Sequence, residues 1–225
     1  MTLPEGLVAC EDGLVRPTWA ATDLLLRDYY DTEWGSPVTS EQGVFERLVL
    51  ESFQSGLSWS TILKKRQAFR RAFASFVPEA VAAFTDQDRE RLMQDAGIVR
   101  NKRKIDAAMT NAQAVIALRG ALAAEADAHR AGRMGEAPLT HLLRPRQSYP
   151  RHLGELVWLY LPNHQPRPRC AQDVPAQTEE SRALSLELKR RGFVFVGPVT
   201  ALALMSAIGI TNTDIIGTWK RPLAE

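Results

Sequence analysis

Apolar residues recur along this chain at helical rather than strand spacing. Val44, Phe45, Leu48, Val49 and Phe53 repeat at three- and four-residue intervals. That spacing predicts a helix over about 41–53, with Thr39 or Ser40 as its N-cap. The same reading places a helix after Trp19, capped by Thr22 or Asp23 and ending near Tyr30. Another is expected from Ser58-Trp59 through a basic run to Phe73, and short helices at 78–84 and 86–94. Gly97 breaks the pattern before a long helix over 100–118, and helices return at 153–160, 181–191 and 198–208. Strand-like alternation is brief, at Phe193-Val194-Phe195-Val196 before a glycine. That segment is expected to be buried and to form one wall of a pocket. The predicted class is all-α.

Between residues 119 and 152 the composition shifts to alanine, arginine and three of the four histidines, with prolines at 138, 145 and 150. This reads as a helical stub followed by an irregular, basic insertion in a single domain spanning 1–225. A 225-residue chain is long enough for a substantial core. Hydrophobic content of 45% and charged content of 24% are those of an ordinary soluble protein. Two cysteines, Cys10 and Cys170, make no disulfide framework and point to a reducing, cytoplasmic compartment. No apolar run reaches membrane-spanning length and no signal-peptide core opens the chain, so no membrane association is expected.

A net charge of +2 says little, but the cations are clustered: Lys64-Lys65-Arg66 with Arg70-Arg71, Arg100 through Lys104, and Lys189-Arg190-Arg191. Charge runs are usually solvated helix faces, yet three of them beside apolar helices or glycine turns fit a phosphate-binding surface. The densest chemistry lies between Leu50 and Arg66. Glu51 falls at the rim of its helix's apolar face, where a carboxylate in a partly dry setting separates cationic from neutral ligands. Trp59 offers a stacking surface and the basic run can grip phosphate, which together suit a cationic flat ring delivered by a nucleic acid. Taken alone, this window also reads as an amphipathic helix with an exposed glutamate and a core tryptophan, and that reading is the commoner one.

Asp95-Ala96-Gly97-Ile98-Val99-Arg100 before a helix resembles a degenerate helix-hairpin-helix, whose turn amides bind a DNA phosphate without reading sequence. Lys102, Arg103 and Lys104 would reinforce that contact, although Val99 stands where a second glycine is usual. A glycine cap between packed helices fits these residues equally well. His164 sits in a proline-rich loop and is read as a turn histidine. His129, His141 and His152 lack zinc-like spacing.

Several phrases together resemble the constitutive 3-methyladenine DNA glycosylase family. Tyr29-Tyr30-Asp31-Thr32-Glu33-Trp34-Gly35 is similar to its Tyr-His-Asp-x-Glu-Trp-Gly signature, and the stretch from Glu51 to Trp59 with Lys64-Lys65-Arg66 matches nearly residue for residue. Asp95 to Arg100, Asn163-His164-Gln165-Pro166, and Arg191-Gly192-Phe193 with Val196-Gly197 follow in the family's order. The resemblance implies a helix-hairpin-helix DNA glycosylase fold and an enzyme that flips an alkylated base out of double-stranded DNA. It would hydrolyse the N-glycosidic bond of 3-methyladenine, leave an abasic site, and act as a monomer without a cofactor. By motif position Glu51 would be the catalytic carboxylate that accepts hydrogen bonds from the cationic purine. Tyr29 would contact that base, Trp59 would stack on it, and Trp34 would complete the aromatic wall. Gln54, Gly56 and Leu57 would enter the gap in the base stack, while Lys64, Lys65, Gly97, Arg100 and Lys102 would meet phosphates. Asp127, the acid besides Glu125 at a comparable distance past the hairpin to other glycosylases' aspartate, receives no catalytic role.

Two rivals keep the same surface: a glycosylase/lyase using Lys102 or Lys104 as Schiff-base nucleophile, and a damage binder without turnover. One departure bears on stability. The family clasps its termini with a zinc held by two cysteines and two histidines, and here Pro17, Tyr30, Asp214 and Thr218 occupy those positions. No metal is therefore expected, and Tyr30 and Trp19 packed against Ile215, Ile216 and Trp219 would join the termini instead.

Overall fold

The computed structural model describes residues 3–145 and 147–222. It begins with a small antiparallel hairpin that the apolar pattern did not announce. Strand β1 (Leu7–Ala9) pairs with β2 (Val15–Pro17) in the register Leu7↔Pro17, Val8↔Arg16 and Ala9↔Val15. Three-residue strands are too short for alternation to register. What holds the hairpin is charge. The buried Arg16 guanidinium bonds Asp12 at 2.7 Å and Asp31 at 2.7 Å, and Trp219 Nε1 donates to the same Asp31 at 3.0 Å.

Nine α-helices follow among the described residues: α1 (Leu24–Thr32), α2 (Glu41–Gln54), α3 (Trp59–Ala72), α4 (Pro78–Ala82), α5 (Asp86–Gln94), α6 (Lys102–Arg130), α7 (Leu153–Trp158), α8 (Glu179–Arg190) and α9 (Pro198–Ala207). Their starts are set by short polar caps that occupy otherwise unpaired first-turn amides. Asp23 accepts from Leu26, Ser40 from Gly43, Ser58 from Thr61 and Asn101 from Lys104. The all-α expectation holds apart from the hairpin.

Helix α2 is the axis of the molecule, in contact with α3, α6, α7 and α9. Every residue from Leu48 to Phe53 is buried. This decides the fate of Glu51. A helix packed on one side has a rim, but a helix enclosed on four sides has none, so Glu51 is an interior residue rather than the rim carboxylate the pattern suggested. Phe45, Phe53, Phe69, Phe73 and Phe76 form an aromatic ladder along one side of α2, with ring centroids 4.8–6.4 Å apart between neighbours.

Two expectations need correction. Helix α6 does not stop near Leu118 but runs on to Arg130, carried by alanines whose helix propensity is the highest of any residue. The segment after it is built into the core: Ala137, Leu139 and Tyr149 are buried, and the Tyr149 hydroxyl donates to Glu125 at 2.7 Å. Among its described residues Arg130 pairs with Asp127, Arg133 with Glu136 and Arg151 with Glu155, while Arg144 donates to the Leu161 carbonyl at 3.1 Å. The second correction concerns 193–196, which is neither a strand nor buried throughout, since Phe193 and Val196 are buried but Val194 and Phe195 are exposed. The side chain of Asn111 stands in for a neighbouring strand, accepting from the Val194 N–H at 2.8 Å and donating to its carbonyl at 3.1 Å.

Candidate active site

A cavity of about 580 Å³ opens where the end of α2 meets α9, the end of β2 and the loops around 171–176 and 213–215. Trp34, Glu51, Gln54 and Trp59 line it, so four of the residues singled out from sequence converge there. Tyr29 stands behind this wall, its ring 5.3 Å from Trp59 and 6.2 Å from Trp34, and it is 2% exposed. Sequence reasoning missed the α9 side of the cavity, made by Val199, Leu202, Ala203 and Ser206, and the place in its lining of Trp19, which packs edge-on to Trp34 at 5.6 Å. Residues of α9 carry no polar signature, and only their packing opposite α2 reveals them.

Three polar side-chain groups in and behind the cavity wall are buried and make no side-chain hydrogen bond. Glu51 is 4% exposed, and no hydrogen bond offsets its burial, which pushes its carboxyl up to about 8 against a small opposing pull from Arg47 one turn earlier. The Tyr29 hydroxyl and the Trp59 Nε1–H are likewise buried and unpaired. Burial, and then the nearby Glu51 charge, raise the Tyr29 hydroxyl far above its ordinary range. An unpaired buried polar group costs about 1–3 kcal/mol, so three of them close together around one cavity call for an explanation beyond packing. Behind it Glu33 ties Arg66 at 2.6 Å and Arg47 at 3.0 Å, which fixes the helices that carry the wall.

Below Glu51, α2 ends in a tight turn. Leu57 N–H donates to the Gln54 carbonyl at 2.7 Å, Ser55 has φ −48° and ψ 117°, and Gly56 has φ 79°. These angles match a type II turn, whose third residue needs positive φ and hence glycine. The turn lifts Leu57 out to 38% exposure, as a wedge entering a base stack requires. Lys104 holds the turn from beneath. Its buried ammonium donates to the carbonyls of Phe53 at 2.8 Å and Ser55 at 2.6 Å, and burial lowers its pKa. This reassigns Lys104 from candidate nucleophile to anchor.

The hairpin between α5 and α6 is formed as expected. Gly97 passes so near α3 that a Cβ there would meet that of Ala68 at 2.9 Å. Lys65 is spent on it, donating to the carbonyls of Ala96 at 2.8 Å and Gly97 at 3.3 Å, so it braces the hairpin instead of facing phosphate. The Gly97 N–H is also taken, by the Asp95 carboxylate at 2.7 Å. The first turn of α6 is more open, since its Lys102 and Arg103 amides have no helical partner and Arg100, Lys102 and Arg103 are exposed. Lys64 is exposed too, with only a long 3.8 Å approach to Asp23.

The positions where the family resemblance places zinc do not suit it. Pro17 offers no donor, and the hydroxyls of Tyr30 and Thr218 are buried beside Asp214 without reaching hydrogen-bond geometry. Burial raises the Asp214 carboxyl, and Lys220 opposes it. That lysine's ammonium lies 4.8 Å from the Tyr30 ring centre and 5.5 Å from that of Trp219, so a cation already occupies the neighbourhood. Trp19 and Trp219 pack edge-on to Tyr30 at 5.5 and 6.5 Å, which joins the two termini. A strong chelator is accordingly expected to leave the melting temperature unchanged, since no metal-binding energy enters folding. One equivalent of tightly held zinc in tag-free protein would refute this and make Cys10 and Cys170 the first ligands to test.

A family model described as methyladenine glycosylase matches residues 19–131 and 140–221, so the extra segment relative to the family narrows to 132–139. DNA-3-methyladenine glycosylase 1 of Escherichia coli (strain K12) is 38% identical over 202 residues, covering 88% of this chain and 92% of that protein. The DNA-3-methyladenine glycosylase of Haemophilus influenzae (strain ATCC 51907 / DSM 11121 / KW20 / Rd) is 34% identical, covering 89% and 94%. A crystal structure of 3-methyladenine DNA glycosylase I superposes with a TM-score of 0.73 at 33% identity, over 91% of this chain and 98% of that one. Among the described residues no helix is long and apolar enough to cross a membrane.

Proposed function

This chain belongs to the methyladenine glycosylase family and is a DNA repair glycosylase for 3-methyladenine, and we propose that it excises the base through the pocket around Glu51. The observation that carries this reading is a buried, unpaired carboxylate facing a tryptophan-lined cavity. Methylation at N3 makes adenine cationic, whereas intact adenine is neutral. In a low-dielectric pocket that single charge is a strong discriminator, because the carboxylate gains a partner only from the damaged base.

The same charge explains how little acid catalysis is needed. On hydrolysis the electron pair of the C1′–N9 bond passes to the base, which leaves neutral. Water supplies a hydroxyl to C1′ and releases one proton. The leaving group is activated by its own alkylation, so the protein's tasks are extrusion, orientation and exclusion of bulk water. Trp59 and Trp34 enclose the ring, with Tyr29 packed behind both. Leu57 fills the vacated stack while Lys104 keeps its turn in place. Incubating the protein with methylated duplex DNA and identifying the released bases tests the reading. Free 3-methyladenine is the expected product, and binding without release would instead establish a damage sensor.

DNA affinity should fall steeply with salt, because cations on phosphate displace condensed counterions. Arg100→Ala or Lys102→Ala is expected to weaken damaged and undamaged duplexes alike and to reduce the salt slope by about one. Lys65→Ala should act differently, lowering thermal stability by loosening the hairpin. Salt-independent binding would return these cations to the status of solvated helix faces.

A further inference from the structure

The segment between α8 and α9 displays an aromatic side chain that core packing does not require. Phe193 and Val196 are buried, but between them Phe195 adopts φ 57° and turns its ring outward to 42% exposure. Bulky residues avoid this left-handed region, so the conformation persists only where surrounding contacts impose it. Here they do. Asn111 grips both backbone groups of Val194, and the Ser185 hydroxyl donates to the Val196 carbonyl at 2.6 Å. The Ser52 hydroxyl, which donates to the Leu48 carbonyl at 2.8 Å, lies 3.4 Å from the Phe195 carbonyl, and this contact fixes the location, since Ser52 directly follows Glu51 on α2. Downstream, Val199 lines the cavity. Phe195 thus stands beside the last turn of α2, on the side of the pocket that α9 contributes.

We infer that Phe195 is a second DNA-contacting residue, which packs against the nucleotide neighbouring the flipped one in damaged duplex DNA while Leu57 occupies the gap. This rests on the glycosylase reading, from which it takes the identity of the partner. The chemistry fits a nucleotide. An uncharged aromatic face stacks on any base or on the apolar side of deoxyribose, so the contact adds affinity for distorted DNA without sequence preference. The anchors make the ring a rigid platform rather than a loose side chain, so little conformational freedom is lost on binding.

The test compares Phe195→Ala and Phe195→Gly with wild type. Two equilibria are measured: binding to a duplex carrying an abasic-site analogue, and binding of free 3-methyladenine by tryptophan fluorescence. Glycine accepts positive φ without strain, so Phe195→Gly should fold at least as stably as wild type, which separates loss of the ring from loss of the fold. Duplex affinity is expected to fall about five- to a hundred-fold in both variants, with affinity for the free base unchanged. Wild-type duplex affinity in both variants would overturn the inference. A parallel loss of free-base binding would also overturn it, by showing that the segment only shapes the pocket. Base release by the wild type is scored separately, so failure of the glycosylase reading is not confused with failure of this contact.

Discussion

Replacing Glu51 with glutamine is expected to slow excision of 3-methyladenine while making the folded protein more stable at alkaline pH. The two effects have one cause. Glu51 is buried with no hydrogen bond to offset the loss of water, and its carboxyl is pushed up to about 8. The folded-state pKa lies above the unfolded value of about 4.3, so the unfolded chain holds on to this proton less well. The contribution of Glu51 to stability is therefore fully present below about pH 4.3 and is lost as the pH rises through about 8. At about 1.4 kcal/mol per unit, the full loss is on the order of 3–5 kcal/mol. Glutamine has nearly the shape of a protonated glutamate and no charge to bury. The variant should match wild type in melting temperature near pH 4 and pull ahead by about 6–20 °C at pH 9, at roughly 2–4 °C per kcal/mol for a chain of this size. Activity should move the other way. Losing a charge-assisted bond to a cationic base in a dry pocket costs about 1.5–3 kcal/mol, or roughly ten- to a hundred-fold in kcat/KM. The rise of wild-type kcat/KM with pH toward about 8, as the free enzyme's carboxylate is populated, should disappear in Glu51→Gln. Equal activity, or no stability gain at pH 9, would remove Glu51 from this role.

The stability half of that expectation shows what the sequence could and could not convey. Helical spacing located α2, its Ser40 cap and the chemical kinship of Glu51, Gly56 and Trp59, because these are local properties of consecutive residues. It placed Glu51 on a rim because periodicity measures one helix against an unspecified core, whereas burial depends on how many neighbours surround that helix. Only the tertiary arrangement of α3, α6, α7 and α9 supplies this. The cations divide along the same line. Lys64, Lys65, Lys102 and Lys104 look alike as letters, but Lys65 and Lys104 reach backbone carbonyls more than thirty residues away, which no local pattern encodes. The α9 wall was illegible for a different reason: Val199, Leu202 and Ala203 are ordinary apolar residues whose role comes entirely from what they face. The hairpin at 7–17 is held by Arg16 and two aspartates, a signal carried by charge pairing and not by hydrophobic alternation.

Lys104→Met should impair excision from duplex DNA about ten- to a hundred-fold through the wedge turn, without abolishing any covalent chemistry. The wild-type ammonium satisfies the carbonyls of Phe53 and Ser55 at the point where α2 gives way to the Gln54–Leu57 turn. Methionine fills much of the same space but leaves both carbonyls unpaired, at about 1–3 kcal/mol of stability, and frees the turn to wander. Displacing a positioning element by about an ångström can cost on the order of a hundred-fold in rate, so the kinetic loss should exceed what the fall in stability explains. Because the Lys104 ammonium bonds neither Glu51 nor the tryptophans, affinity for free 3-methyladenine should be largely kept, and the defect should concentrate on duplex substrates. Lys104→Arg retains a cation able to reach the same carbonyls and should recover part of the lost activity. A lyase acting through Lys104 predicts a different pattern: borohydride would trap wild-type protein on nicked DNA, and both substitutions would eliminate trapping equally. The expected result is no trapped adduct with any of the three proteins. A wild-type adduct that disappears in Lys104→Met would overturn the anchoring role and restore Lys104 as a nucleophile.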